Sequence, residues 1–279
     1  MDFQSQCAAI VGQTELLQAT VAGADLGTIV PSCPEWTLGQ LLNHVGAAHR
    51  WAEEIVRTRA EQLPPDQELR QLGSTQRPAS WLPDGARELA DTLREAGPDA
   101  RVVTPVPAGP PRAASYARRF MNETAIHRAD ATLAVGAEFT LEHDVAVDAM
   151  EEWLELGSLP VMLDYFPERR ALLGDGRSVH LLPTDGGEKS EGWTVDLTGE
   201  LLAWHHGAPT KPAKPAEPTE PTEPTEVNKH REPTNPTATI QAPLTDLLLI
   251  IYGRQPAKTA HLTGDTDFLD FYLSQVSFG

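Results

Sequence analysis

The stretch TLGQLLNHVGAAHRWAEEIVRTR, residues 37–59, decides the fold class of the N-terminal half. Its apolar residues Leu38, Leu41, Leu42, Val45, Trp51, Ala52 and Val56 recur at three- and four-residue spacing, the pattern of a helix with one buried face. Thr37, behind Pro34 and Trp36, reads as the N-cap, its hydroxyl accepting from an orphan amide of the first turn. Working outward, Phe3 to Ala24 repeats the pattern through Ala9, Ile10, Leu16, Leu17 and Val21, and further helices are expected over Asp84 to Glu95, Ala113 to Val135 and His143 to Leu163. Four or five such helices, joined by Pro/Gly-rich connections such as PVPAGPPR (105–112), make a bundle whose facing side chains can build a site.

The pattern changes after Asp175. Short runs rich in β-formers follow at Ser178 to Leu182, Gly192 to Thr198, Glu200 to Trp204 and Thr237 to Ala242, with Asp185-Gly186-Gly187 as a turn between the first two. A helix over Leu244 to Tyr252, a strand over Ala260 to Thr263 and a last helix over Thr266 to Val276 complete a small α+β domain. The fold class is therefore α+β, with a helical bundle over 1–168 and a small α/β domain over 169–279. Inside the second domain, prolines at 209, 212, 215, 218, 221 and 224 match the three-residue turn of polyproline II. The segment 209–236 reads as a disordered solvated insert whose ends lie close together if its flanking strands share a sheet, or else as a partner-docking segment.

Composition excludes several functions. With 22 Lys+Arg against 40 Asp+Glu, the formal net charge of −18 repels a phosphate backbone, so no nucleic-acid partner is expected. The longest strongly apolar run, Leu247 to Tyr252, falls far short of the roughly 20 residues a membrane span requires. The N-terminus lacks the basic and then apolar regions of a secretory signal, so the expected location is cytoplasmic. Cys7 and Cys33 are the only cysteines, too few for a disulfide framework or a cysteine-rich zinc module. A metal centre would have to use histidine and carboxylate.

Glu123 and His127 stand four apart and leave the same face of the fourth helix. His44, among Leu41, Leu42, Val45 and Ala48, is a third candidate ligand from the second helix. Two imidazoles and a carboxylate suit zinc or another divalent ion, and three protein donors leave a coordination position open. The plainer alternatives are a hydrogen-bonded core histidine and a solvated i,i+4 pair. Asp130 could orient His127 or serve only as a surface or capping residue. His49, five residues from His44, reads as surface. His205 and His206 leave opposite faces of a strand, and Cys33 reads as packing.

Three segments carry a family resemblance. CPEWTLGQLLNHVGAAHRW (33–51), NETAIHRADA (122–131) and PLTDLLLIIYGRQP (243–256) resemble, in order, the motifs of the mycothiol-dependent maleylpyruvate isomerase family. The resemblance implies a DinB-like four-helix bundle holding a metal, most often zinc, at His44, Glu123 and His127, with a small C-terminal domain helping to close the site. It also implies mycothiol as cofactor, an electrophilic small molecule as substrate, and isomerisation or S-conjugation as the reaction. Ala129 replaces a Trp common in relatives, and the proline insert interrupts the second domain. Arg254 is a candidate for gripping a carboxylate with its guanidinium fork, the alternative being an arginine that satisfies carbonyls at a helix end. The rival to the enzyme is a non-catalytic metal-binding or regulatory module whose proline segment docks a partner.

Overall fold

The computed structural model describes residues 1–66, 80–106, 108–185, 191–209 and 235–277. The chain divides into two compact units, Met1–Trp153 and Leu154 onward. The division falls inside a helix and upstream of residue 168, where composition had placed it.

The first unit is built on α1 (Phe3–Thr20), α2 (Leu38–Thr58), α3 (Trp81–Ala96), α4 (Ala113–Ala134) and the greater part of α5 (His143–Gly157). α1 packs on α4 and α3, and α2 packs on α3 and α4. Cys7, Ile10, Ala52, Ile55, Leu89, Leu93, Ala117 and Met121 lie together in its apolar core. Thr37 does cap α2, and it does so reciprocally: its Oγ accepts from the amide of Gln40 at 3.3 Å, while the Gln40 side chain accepts from the amide of Thr37 at 2.8 Å. Three helix ends differ from expectation for local reasons. α1 stops at Thr20 because Gly23 turns the chain at φ +77°. α3 begins at Trp81 because Pro83 is tolerated within a first turn. α5 stops at Gly157 because Pro160 has no amide to continue the ladder; only a short turn, α6 (Met162–Tyr165), follows.

One glycine in α2 is obligatory for packing. A β-carbon on Gly46 would sit 2.2 Å from the Trp81 ring, so α2 and α3 approach as closely as they do only because that atom is missing. Gly46→Ala is expected to cost about 1–3 kcal/mol, as overpacking does, and to lower the melting temperature by several degrees in a thermal scan. An unchanged melting temperature would mean that the Trp81 ring swings away without cost.

A short antiparallel ribbon, β1 (Ile29–Val30) with β2 (Cys33–Thr37), precedes α2. It was not legible as strand, since two residues and a Pro-containing five give no period-two pattern.

The second unit holds a sheet of β3 (Ser178–Pro183), β4 (Trp193–Asp196), β5 (Ala203–His206), β6 (Ala238–Ala242) and β7 (His261–Gly264) in the order β5-β4-β3-β6-β7. All neighbouring pairs are antiparallel except β3 with β6. α7 (Leu244–Ile251) packs on β3 and β6, and nearly its whole length is buried; α8 (Thr266–Val276) packs on β6. The N-terminus of α7 receives its cap from a distance, Leu244 donating its amide to Asp185 at 2.9 Å.

The architecture is α+β, as expected. The strands that flank the proline segment do share a sheet, yet their ends are not close: β4 and β3 lie between β5 and β6, a separation of about 14 Å at ~4.8 Å per strand. The polyproline reading of the segment and most of the Asp185-Gly186-Gly187 turn lie outside the described residues. No helix of the described residues is long and apolar enough to cross a membrane.

Candidate metal centre

α2 and α4 face one another with His44 on the first and Glu123 and His127 one turn apart on the second. The Nε2 atom of His44 lies 3.6 Å from Glu123 Oε1, and that of His127 lies 3.9 Å from the same oxygen. One donor atom from each of the three residues lies within 4.8 Å of the others. The two imidazole rings meet edge to face with centroids 5.0 Å apart. Their side chains retain 17% and 12% of their accessible surface, and Glu123 retains 22%, so the donors are reachable from solvent rather than sealed in the core.

Two of the three donors, His127 and Glu123, are oriented from behind. His127 turns Nδ1 toward Asp130 Oδ2 at 3.0 Å, which places the ring proton on Nδ1 and leaves the Nε2 lone pair facing Glu123. Asp130 is fully buried and is held in turn by the Ser32 hydroxyl, which donates to its Oδ1 at 2.5 Å. Glu123 Oε2 is ion-paired with Arg119, whose Nε lies 3.1 Å away, while Arg119 Nη1 donates to Glu152 Oε2, also at 3.1 Å. Burial alone would raise the Glu123 carboxyl. The Arg119 guanidinium and the two imidazoles outweigh it and hold the group below the usual carboxylate range, hence ionised at neutral pH. Glu152 has the opposite balance, its burial prevailing over Arg119 and Arg118 to raise it. Trp36, on β2, forms the apolar wall, with its ring centroid 4.9 Å from that of His44 and 6.3 Å from that of His127.

Residues 7–132 match the family model of the mycothiol maleylpyruvate isomerase N-terminal domain. The match spans most of the helical unit. Two solved structures share the fold over 94% of this chain and 93% of their own, both at 14% identity. One is a histidine-to-alanine mutant of the mycothiol-dependent maleylpyruvate isomerase, with a TM-score of 0.57, and the other is the mycothiol-dependent maleylpyruvate isomerase itself, with a TM-score of 0.53. No curated protein matches the sequence.

The sequence reading and the geometry part company at His49. Expected on the surface, it is 1% exposed, donating Nε2–H to Thr124 Oγ1 at 2.9 Å. The Thr124 hydroxyl proton is committed to the Phe120 carbonyl at 2.6 Å, so the imidazole must supply the proton of the shared bond. Nδ1 is then a buried acceptor with no hydrogen-bond partner among the described residues. Burial, aided by Arg50, His127 and His44 against the pull of Glu123, lowers the His49 pKa to about 3, so the ring is neutral. Ser32, Trp36, Arg119 and Glu152 had also gone unassigned.

Arg128, in the same helical motif as His127, is structural: it donates to Gln13 Oε1 at 2.8 Å and to the Thr140 carbonyl at 2.6 Å, tying α1 and the α4–α5 connection to α4. In the second unit, Arg254 donates Nη1 to the Tyr252 carbonyl at 2.7 Å and borders a cleft of about 470 Å³ with Ile250, Pro256, Asp270 and Leu273. His205 and His206 stand on the edge strand β5, where His206 meets the Trp193 and Trp204 rings.

Proposed function

We propose that the protein is a metal-dependent enzyme using a small thiol, mycothiol, to isomerise or S-conjugate an electrophilic small molecule. The observation that carries this reading is the convergence of one donor atom each from His44, Glu123 and His127 within 4.8 Å, in a segment that matches the mycothiol maleylpyruvate isomerase N-terminal domain. The donor set fits a divalent ion, zinc above all: two imidazoles and a carboxylate are donors that zinc takes, the carboxylate is ionised, and His127 has the carboxylate partner that metal-binding histidines commonly have.

A divalent ion held by His44, Glu123 and His127 would supply Lewis acidity, lowering the pKa of a coordinating thiol. The rest of the work falls to the chain. Asp130 fixes the His127 tautomer, and Arg119 fixes one oxygen of Glu123. The Trp36 ring excludes water from one side of the imidazoles and offers an apolar face to a substrate. In this reading Asp130 contributes to activity through His127 rather than by touching substrate.

Because these polar groups are already engaged as donors or orienters, no separate side-chain base is assigned to the thiol. Glu123→Gln is therefore expected to lose activity in proportion to lost metal, whereas Asp130→Asn retains metal and loses activity only in part. Metal content and kcat/KM measured together across pH check both. A Glu123→Gln protein with full metal and no turnover would make Glu123 the proton-transfer group and overturn this assignment. The function itself is tested by thiol consumption with a panel of activated alkenes and alkylating agents, with and without chelator. Saturable, metal-dependent consumption is the expected result. Its absence from a protein with metal bound would point instead to a non-catalytic binding or regulatory module.

A further inference from the structure

α4 carries two consecutive arginines, and both reach carboxylates on α5. Arg118 Nε donates to Asp148 Oδ1 at 2.7 Å, a pair that staples the two helices. Arg119 does this for Glu152 through Nη1, but its Nε is also ion-paired with Glu123 Oε2 at 3.1 Å. A staple alone has no need of that second bond. Glu152 is 6% exposed and its carboxylate oxygen meets the guanidinium at 3.1 Å, so Arg119 is restrained from two sides.

A carboxylate can offer a metal one oxygen or two. Glu123 Oε1 is the oxygen near both imidazoles, and Oε2 is the one occupied by Arg119. Small ions that favour four ligands are content with a single carboxylate oxygen beside two nitrogens, while larger ions that favour six or more oxygen-rich contacts gain from the second. We propose that Arg119, held in place by Glu152, is a positioning residue that reserves Oε2 of Glu123, leaves Oε1 as the sole carboxylate donor, and thereby sets the centre's preference for Zn²⁺ over Mn²⁺. The inference rests on the metal-centre reading above and adds to it the source of the ion's selection.

The test uses the full chain stripped of metal, with dissociation constants for Zn²⁺ and Mn²⁺ measured by chelator competition. Removing a nearby positive charge strengthens binding of every divalent ion, so an absolute affinity does not isolate denticity; the ratio of the two constants cancels that common effect. Arg119→Gln is expected to shrink the zinc-over-manganese ratio at least tenfold, about the scale at which outer partners tune metal sites. Cobalt(II) gives an independent readout, since its visible bands weaken as coordination rises from four toward six. They are expected to be weaker in the variant than in the parent.

Arg119→Gln leaves Glu152 buried without its cation, which could unsettle the fold. The double variant Arg119→Gln/Glu152→Gln removes both charges at once and is expected to show the same altered ratio and spectrum. Glu152→Gln alone loosens Arg119 and should shift the ratio in the same direction by a smaller factor. Lost thermal stability with an unchanged ratio and cobalt spectrum is what a simple staple would give, and it would overturn the inference while leaving the metal centre intact. A parent protein that binds neither zinc nor cobalt would overturn the metal-centre reading, and the inference with it.

Discussion

Replacing His127 with alanine is expected to lower the affinity for one divalent ion per chain by more than 100-fold. Loss of a partner behind a metal ligand costs 10–100-fold, and His127 is itself one of three donors converging within 4.8 Å, so its loss must cost more. Asp130→Ala supplies the scale. It keeps the imidazole but removes the acceptor of its Nδ1–H at 3.0 Å, so it should fall within that 10–100-fold range and bind more tightly than the His127 variant. Elemental analysis after dialysis and chelator competition give occupancy and affinity, and circular dichroism establishes that each variant has kept the helical fold. Full occupancy in His127→Ala would remove His127 from the ligand set. Equal losses in the two variants would mean that His127 acts chiefly through its hydrogen bond to Asp130.

The sequence made the pair visible because its information is local: four-residue spacing puts Glu123 and His127 on one face whatever the rest of the chain does. His44 stood out as a third candidate among the apolar residues of α2, and the family resemblance implied it as a ligand; that α2 packs on α4 is a long-range fact of the fold. The groups behind the donors were less legible. Ser32 reaches Asp130 from a loop nearly one hundred residues away, and Arg119 reaches Glu152 from another helix. His49 is different, since its burial was written in the heptad. It lies four residues after Val45, seven after Leu42 and seven before Val56, on the apolar face of α2. Comparing it only with His44 hid that position. The sheet order was beyond reach for another reason: short strands of similar composition fix their own existence but not which neighbour each will pair with, so the separation of β5 from β6 followed only from the fold.

Acidification from pH 7.5 to 5 should cost the protein about 2 kcal/mol through His49 alone. In the unfolded chain an imidazole titrates near the ordinary value of about 6.5, whereas the folded ring, buried beside Phe120 and Thr124, has a pKa lowered to about 3. Below pH 6.5 the unfolded state therefore binds a proton that the folded state refuses, and stability falls as pH falls until the folded group itself takes up the proton near its own pKa. At pH 5 the size of the loss depends on the unfolded value and hardly at all on how far below 5 the folded one lies. The charged and titratable groups that act on His49, namely Glu123, Arg50, His127 and His44, stay in place in a His49→Gln variant, so their own titration cancels in a comparison. The glutamine amide retains a donor for Thr124 and has no proton to gain. Denaturant unfolding of both proteins in excess chelator, at steps between pH 7.5 and 5, should give stability curves that converge by about 2 kcal/mol as the pH falls, with the histidine protein losing more. Parallel curves would show that His49 is protonated as readily in the folded state as in the unfolded one, and hence that its ring finds water or an acceptor for Nδ1 within the bundle.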